Sequence, residues 1–457
     1  MSTRASAATA RALSRDSGFV PPLHGFASYE SAAAQFAASG PAWLRQLRAA
    51  GLETFRQLGF PTTRIEDWKY SDTTPIVREL FQPPLPSPET QVDLGLWKPW
   101  LYSECARLVF IQGRLVASEV AALAQPDQVT LLSLQDALAK EESYVRRVLG
   151  ACAPLNERSF TALNLALLHD GAWVRVVPGT RLTTPIQLLF VGGSVERPSI
   201  LCPRNLIVLG DVAEATVIEC WIGQSGASFF TNEVTEVVLG EEAHLTHLRI
   251  VEERGAMLHL GLTTVQQSRG STYRSQVVTF PGQWTRVEVL TRLEAQGATA
   301  FLDGLFVAND NSFVDHHTAV DHVHGGTTSR QLYKGVLDGA AHGVFNGKVF
   351  VRPGALKSDA QQMNKNLLLS DNAEIDTKPQ LEIFADDVKC SHGATIGRLD
   401  DNALFYLRAR GVPADEARRL LIYGFANEIV ERVPLEIAER SLRAILQRRL
   451  AGAPQED

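Results

Sequence analysis

Apolar residues recur at near-helical spacing in the first part of the chain. The spacing predicts a helix over 41–59, which Gly59 and the following Pro61 would end. Its apolar face consists of Trp43, Leu44, Leu47, Leu52, Phe55 and Leu58. Two further helices are predicted over 131–149 and 158–169, the second ending just before an Asp-Gly pair.

Beyond Gly171 the pattern changes to short apolar runs separated by Gly, Pro, Ser and Asp. Runs such as 173–177, 186–191 and 205–209 predict strands, and this pattern of short apolar runs continues to about Ile396. Because no amphipathic helix lies between the strands, the pattern argues against alternating strand-helix-strand units.

A weak repeat runs through the strand region. The segment 208–213, VLGDVA, recurs as VLGEEA at 238–243 and is echoed by LLSDNA at 368–373. Units that turn and restart a strand at this period suggest a solenoid. We favour a parallel β-helix over a propeller because no blade signature appears, and a β-sandwich stays open as an alternative.

Helical patterns return near the C-terminus, over 402–410, 414–433 and 435–450, with Gly at a helix end and Pro at helix starts. The middle helix carries a broad stripe formed by Ala417, Leu420, Leu421, Gly424, Phe425, Glu428 and Ile429. The stripe is wider than one neighbour would cover, so we interpret it as a partner-docking surface.

These patterns divide the chain into four parts. We predict a flexible N-terminal tail over 1–40, a mainly helical domain over 41–170, a β-helix core over 171–398 and a helical domain over 399–457. A proline-rich stretch at 82–88 is predicted to be an irregular connector. The first 15 residues are rich in Arg, Ser and Ala, a composition shared with organelle transit peptides, and we interpret them as a disordered tail.

Composition narrows the class of protein. The chain has 457 residues, 45% hydrophobic and 21% charged, with a net charge of -7, which favours a soluble globular protein and gives no basic surface for nucleic acid. Five scattered cysteines without a Cys-x-x-Cys pair fit a reducing compartment. No apolar run is long enough to span a membrane, so we expect a cytoplasmic protein.

Cys390 and His392 are the strongest candidates for chemistry. They lie two residues apart near the end of the strand region, so both side chains should point to the same face. A thiolate and an imidazole together suit iron, copper or zinc, but they make only half of a usual site. For Cys390 alone, burial as a small apolar residue is the simplest interpretation; Lys389 and His392 favour a thiolate modestly.

Other patterns carry less chemistry. One group of histidines and aspartates lacks the spacing of a known metal site, so hydrogen-bonded structural histidines are expected. The group consists of His244, His247, Asp315, His316, His317, Asp321, His322 and His324. Lys348 follows Gly347 but lacks the remaining residues of a phosphate-binding loop. Asp386 and Asp387 could serve a polysaccharide lyase or hydrolase, the alternative function considered, although adjacent strand residues point in opposite directions.

Long motifs then point to a family. They are FNGK at 345–348, NLLLS at 366–370, PQLEI at 379–383, DDVKCSHGAT at 386–395, FYLRARG at 405–411 and RIEDWKY at 64–70. Together they make the chain closely similar to the SufB/SufD family of iron-sulfur cluster assembly proteins. Gly393, where SufB chains typically carry Glu, and the absence of a cysteine-rich N-terminal segment resemble the SufD branch.

The resemblance implies a right-handed parallel β-helix flanked by helical domains, in a non-ATPase scaffold subunit of the SUF complex. It implies pairing with a SufB-like chain and docking of a SufC-like ATPase on the C-terminal helices, with homodimers an option for the isolated chain. By this match His392 and Cys390 lie where the two β-helices meet and hold a transient iron-sulfur cluster that the partner shares. The docking residues would be Phe405, Tyr406, Leu421, Phe425, Glu428 and Ile429. Cluster nuclearity and flavin binding stay open.

Overall fold

The computed structural model describes residues 19–20, 26–83, 99–123, 125–153, 158–192, 197–223, 228–433 and 435–450. The predicted tail over 1–15, most of the proline-rich connector and the Pro434 helix start lie outside these ranges. The described chain is mainly β, with a β-solenoid of about 7 turns and helices at both termini, so the predicted fold class is confirmed.

Two ten-stranded sheets form the walls of the solenoid. Sheet I contains β3 (Ala106–Ile111), β4 (Arg114–Glu119), β7 (Ile186–Gly192), β10 (Glu214–Gly223), β12 (His244–Glu252), β14 (Thr272–Phe280), β16 (Thr299–Ala308), β18 (Thr328–Leu337), β20 (Asp359–Leu368) and β22 (Lys389–Gly397). Sheet II contains β5 (Val129–Ser133), β6 (Ala172–Val176), β8 (Ser199–Leu201), β9 (Arg204–Leu209), β11 (Phe229–Leu239), β13 (Leu258–Gln267), β15 (Trp284–Leu293), β17 (Phe313–His322), β19 (His342–Val351) and β21 (Glu374–Ile383). A separate short pair joins β1 (Phe19–Val20) to β2 (Phe60–Pro61).

From β9 onward the chain alternates between the two sheets, so each rung of the solenoid is one strand of sheet II followed by one of sheet I. All of these strand pairs are parallel; the antiparallel pairs β3 with β4 and β5 with β6 lie at the opposite end. The β3 and β5 strands come from the region predicted to be mainly helical, so the two sheets already begin before residue 171.

Both faces of most strands are buried, which explains the nearly continuous apolar runs of strands such as β3 and β7. In β12, Leu245 and Val251 point into the solenoid, whereas Leu248 and Ile250 point outward under the C-terminal helices. The recurring hexapeptides form turns between strands. Val212 and Glu242 occupy equivalent positions in the first two copies and both have positive φ, 59° and 55°.

Helices cover the outer faces of the sheets. They are α1 (Phe26–Phe36), α2 (Ala42–Leu58), α3 (Thr74–Arg78), α4 (Leu134–Lys140), α5 (Glu142–Val148), α6 (Ser159–Ala166), α7 (Asp401–Ala409), α8 (Ala414–Val430) and α9 (Glu436–Leu450). The predicted helices over 41–59, 158–169, 402–410, 414–433 and 435–450 are thus confirmed, with ends shifted by a few residues. The N-terminal α1, α2 and α6 pack on sheet II, and α8 and α9 pack on sheet I.

Two N-terminal predictions are corrected. The segment 131–149 is not one helix, because its first residues complete β5 against β6 and α4 and α5 follow separately. Residues 26–36 are not part of a flexible tail, because α1 buries Tyr29, Ala32 and Ala33 beneath α2. Their spacing of three and four residues places them on one face of the helix.

Candidate functional site at the end of the solenoid

The last rung, β21 and β22, leaves the C-terminal end of the solenoid open. Each of these strands pairs with one neighbour in its sheet, β19 and β20 respectively, so one backbone edge of each has no strand partner among the described residues. In β20 the inward-facing residues are buried, but in β22 almost every residue is exposed. The end of the solenoid therefore presents side chains that every earlier rung hides.

Cys390 and His392 lie on this open rung. They are in register with Ala360 and Gln362 of β20, both buried in the interior, while Gln361 between them is exposed. This register supports the prediction that the two side chains share a face, and it identifies that face as the interior of the solenoid. Cys390 is half-buried against Ala360, and His392 is exposed.

The Cys390 thiol is not activated in the isolated chain. Burial raises its pKa; a hydrogen bond from the Ala360 backbone offsets part of that rise, and the nearby Asp359 carboxylate adds a smaller increase. That Lys389 and His392 modestly favour a thiolate stays a prediction, because the raised pKa follows mainly from desolvation of the thiol. A bound metal ion or a positive charge beside Cys390 would favour its thiolate.

Gln362, directly below His392 in the sheet, was not singled out from the sequence. Its side chain is 2% exposed, yet neither its Oε1 nor its Nε2 has a hydrogen-bond partner in the described chain. Gly347 on the facing strand makes room for it, since a Cβ at Gly347 would lie 1.6 Å from the Gln362 Nε2. The polar strand around Gln362 gives no local signal for it, and only the stacking of the rungs places it under His392.

The RIEDWKY segment, residues 64–70, packs on the outside of the last rungs and forms ion pairs with them. Asp67 forms an ion pair with Lys348 of β19, and Glu66 forms one with Lys378 of β21. The Arg286 guanidinium lies 4.0 Å from the centre of the Trp68 ring and anchors the segment to the middle of sheet II. The same contacts explain Lys348: it projects from a strand toward Asp67 and belongs to no phosphate-binding loop.

No group of three or more potential metal ligands comes together in the described residues. Several histidines of the strand region are hydrogen-bonded, as predicted: the His316 ring lies 3.0 Å from Thr279 Oγ1, and the His322 ring lies 2.7 Å from Thr327 Oγ1 and 2.9 Å from Ser329 Oγ, whereas His244 is exposed. Asp386 and Asp387 lie in the turn between β21 and β22.

A buried charge cluster inside the solenoid also escaped sequence analysis. Arg249 forms an ion pair with Glu233 and lies 3.6 Å from Glu219, which in turn lies 3.4 Å from His247. Burial alone would raise the pKa of Glu219, but the charges of His247 and Arg249 hold it at about 2. Burial raises the pKa of Glu233 to about 7 despite the Arg249 charge. Arg249 fills the space between the acids, so the cluster is internally neutralised.

The predicted docking residues separate into two groups. Phe405 and Tyr406 on α7 are 74% and 58% exposed, and Leu421 on α8 is half-buried. Ile429 is fully buried among the residues that join α8 to sheet I, so its assignment to a docking surface is corrected: the stripe there packs against the chain's own sheet and α9.

Phe425 and Glu428 also engage the chain itself. Lys334 of β18 donates to the Phe425 carbonyl oxygen at 2.8 Å, lies 4.3 Å from its ring centre and forms an ion pair with Glu428. A lysine projecting from a strand thus holds the middle of α8 in place. Of the predicted set, Phe405, Tyr406 and Leu421 keep the most accessible apolar surface.

Fold and site together define a β-solenoid protein whose candidate ligands lie on an open terminal rung. Residues 190–425 match the family described as SUF system FeS cluster assembly, SufBD core domain, and residues 26–188 match the SufBD protein N-terminal region. The chain therefore belongs to the SufBD family of the SUF iron-sulfur cluster assembly system.

Relatives agree with this assignment. The chain is 34% identical to an iron-sulfur cluster assembly SufBD family protein of Synechocystis, over 87% of this chain and 89% of the relative. It is 31% identical to the iron-sulfur cluster assembly protein SufD of Escherichia coli, over 88% and 92%. A chloroplastic protein of Arabidopsis thaliana, ABCI7, is 27% identical over 86% and 83%. In the described part of the chain, no helix is long and apolar enough to cross a membrane.

Proposed function

We propose that this chain is a SufD-type, non-ATPase scaffold subunit that pairs with a SufB-like chain through the open end of its solenoid and acts in the cytoplasm. The observation that carries the proposal is the last rung, where Cys390 and His392 are accessible on a face that the preceding rungs bury. Kinship with SufD of Escherichia coli supports it.

The free edges of β21 and β22 suit a partner of the same architecture. Unpaired strand edges bind strands of other chains, and a homologous solenoid presents a matching open end. Apolar side chains at this end add surface that a partner would cover, since Ile383, Phe384 and Ile396 are 41%, 61% and 52% exposed.

Cys390 and His392 would supply two ligands to a nascent iron-sulfur cluster, which is the cargo of the complex, and the SufB-like chain would supply the others. Two ligands leave a four-coordinate site half complete, so an interface between chains is the natural place for it. His392 is the stronger candidate because its imidazole is exposed, whereas Cys390 is half-buried and must lose a proton on binding iron.

A SufC-like ATPase would dock on the exposed part of the C-terminal helices. Phe405 and Tyr406 are exposed aromatic residues on α7, and Leu421 extends the apolar surface onto α8. Aromatic residues of this kind are typical anchors of protein interfaces. ATP hydrolysis would belong to that subunit, since Lys348 of this chain is engaged by Asp67.

The decisive experiment compares His392→Ala with Ser391→Ala in the complex with the SufB-like chain and the ATPase. Ser391 lies on the same strand and is also exposed, but it faces the opposite side. We expect both variants to assemble, His392→Ala to contain clearly less iron and sulfide after anaerobic purification, and Cys390→Ser to lose less. Normal iron and sulfide in the His392→Ala complex would overturn the ligand assignment, and failure of the unmodified chain to bind a SufB-like partner would overturn the pairing.

A further inference from the structure

Gln362 lies on β20 one rung inside the proposed cluster site. In the parallel ladder it is in register with His392, and adjacent strands are about 4.8 Å apart. Ala360, the next inward-facing residue on its strand, is in register with Cys390. Gln362 therefore lies directly beneath the inner face on which Cys390 and His392 are located.

The amide of Gln362 is buried without hydrogen bonds, unlike its neighbours. On the same strand and facing the same way, Asn364 and Asn366 bond to each other, and Asn364 also accepts a hydrogen bond from Thr377 at 2.8 Å. One rung further inside, Gln331 accepts a hydrogen bond from Thr318 at 2.7 Å. Gln362 alone among these amides has neither polar atom bonded within the described residues.

Such a group is costly to keep, because burying an amide without a partner sacrifices the hydrogen bonds it makes in water. An apolar side chain would fill the same position without that penalty. Gly347 opposite leaves the space that Gln362 occupies, because any side chain there would collide with the amide. The close approach of Gly347 to Gln362 shows that the amide is accommodated by the surrounding structure.

We propose, on the basis of the function proposed above, that Gln362 is a further residue of the cluster site and donates a hydrogen bond from Nε2 to a sulfur of the bound iron-sulfur cluster. The site would then combine two ligands on the last rung with a neutral donor from the rung below. Hydrogen bonds to cluster sulfurs tune the reduction potential, so the amide would affect both retention and potential.

The test replaces Gln362 with Leu and, as the matched control, the exposed and outward-facing Gln361 with Leu, both in the complete complex with the partner chain and ATPase. We expect Gln362→Leu to leave complex formation and the thermal midpoint of this chain unchanged or raised. Its cluster should be lost to a chelator roughly fivefold faster, about the effect of one hydrogen bond. The reduction potential of the remaining cluster should become more negative. Gln361→Leu should match the unmodified complex in all three measurements.

A Gln362→Leu complex with normal cluster retention and potential would overturn the proposal. If Gln362→Leu destabilises the chain, Gln362→Met provides a flexible apolar side chain; destabilisation by both variants would show a structural hydrogen bond and would also overturn it. The His392→Ala complex separates failure of this proposal from failure of the proposed function. Normal cluster content in the His392→Ala complex rejects the ligand assignment. Low cluster content in that complex, together with normal cluster retention in the Gln362 variants, rejects only the role of the amide.

Discussion

Replacing Ile429 with Ala tests whether the C-terminal helices belong to the core of the chain or to a detachable docking unit. Ile429 has no exposed surface and packs where α8 meets sheet I, in a cluster that includes Leu248 and Leu305. Truncating a buried Ile to Ala removes contacts and leaves a cavity, which costs about 2–5 kcal/mol. That is a large share of the roughly 5–15 kcal/mol that stabilises a typical folded domain.

Phe405→Ala is the matched comparison, because Phe405 is 74% exposed on α7. Its removal should change stability by no more than about 0.5 kcal/mol, as for other surface substitutions, while weakening ATPase retention. Urea denaturation followed by circular dichroism gives the stability of each variant, and a pull-down with the ATPase gives binding. An Ile429→Ala chain with an unchanged denaturation midpoint and lost ATPase binding would refute the packing argument and restore Ile429 to the docking surface.

Three further outcomes are expected. The raised pKa of Cys390 should make its alkylation by iodoacetamide at pH 7 slower than that of an ordinary cysteine, and the midpoint of its deprotonation should lie above the usual one. Mass spectrometry of the Cys390 peptide at several pH values measures both quantities. Faster alkylation would contradict the argument that burial raises the pKa. Because the pKa of Glu233 is raised to about 7 from the ordinary 4.5, the folded chain binds an extra proton between these values and loses stability as pH rises through that window. Glu233→Gln should flatten this part of the pH profile in chemical denaturation, and an unchanged slope would mean that Glu233 is ionised throughout. The purified chain should hydrolyse no ATP, since Lys348 lies on a strand and forms an ion pair with Asp67. ATP hydrolysis that persists after removal of the ATPase subunit would show a nucleotide site elsewhere.

The sequence predicted the elements whose own pattern decides their structure. The helix α2 was found from its apolar spacing and its terminal Gly59, and the solenoid from short strands separated by turn residues. The helix α1 was missed because Ala32 and Ala33 give a weak apolar signal. The 131–149 segment was misassigned because Leu131 pairs with Val174 in an antiparallel ladder that a local pattern cannot reveal.

The part of the candidate site that depends only on strand periodicity was predicted from the sequence. A spacing of two placed Cys390 and His392 on one face, but only the stacking of rungs shows that this face is the solenoid interior and that Gln362 lies beneath it. The charge cluster shows the same limit. Glu219, Glu233 and Arg249 come from successive strands, and the signal, a charged residue within an apolar run, indicates burial but not its partners.

The open rung at β21 and β22 also bears on how related chains diverge. A rung in the middle of a solenoid is supported from both sides, whereas the last rung is supported from one. Residues on its inner face, such as His392, therefore make few contacts within the chain, and replacing them disturbs little of the packing below. Substitutions on this inner face are therefore expected to be tolerated more readily than at any buried rung. Duplicated copies of such a chain can thus acquire different side chains on the terminal rung, at the lowest loss of stability, while the scaffold below stays unchanged.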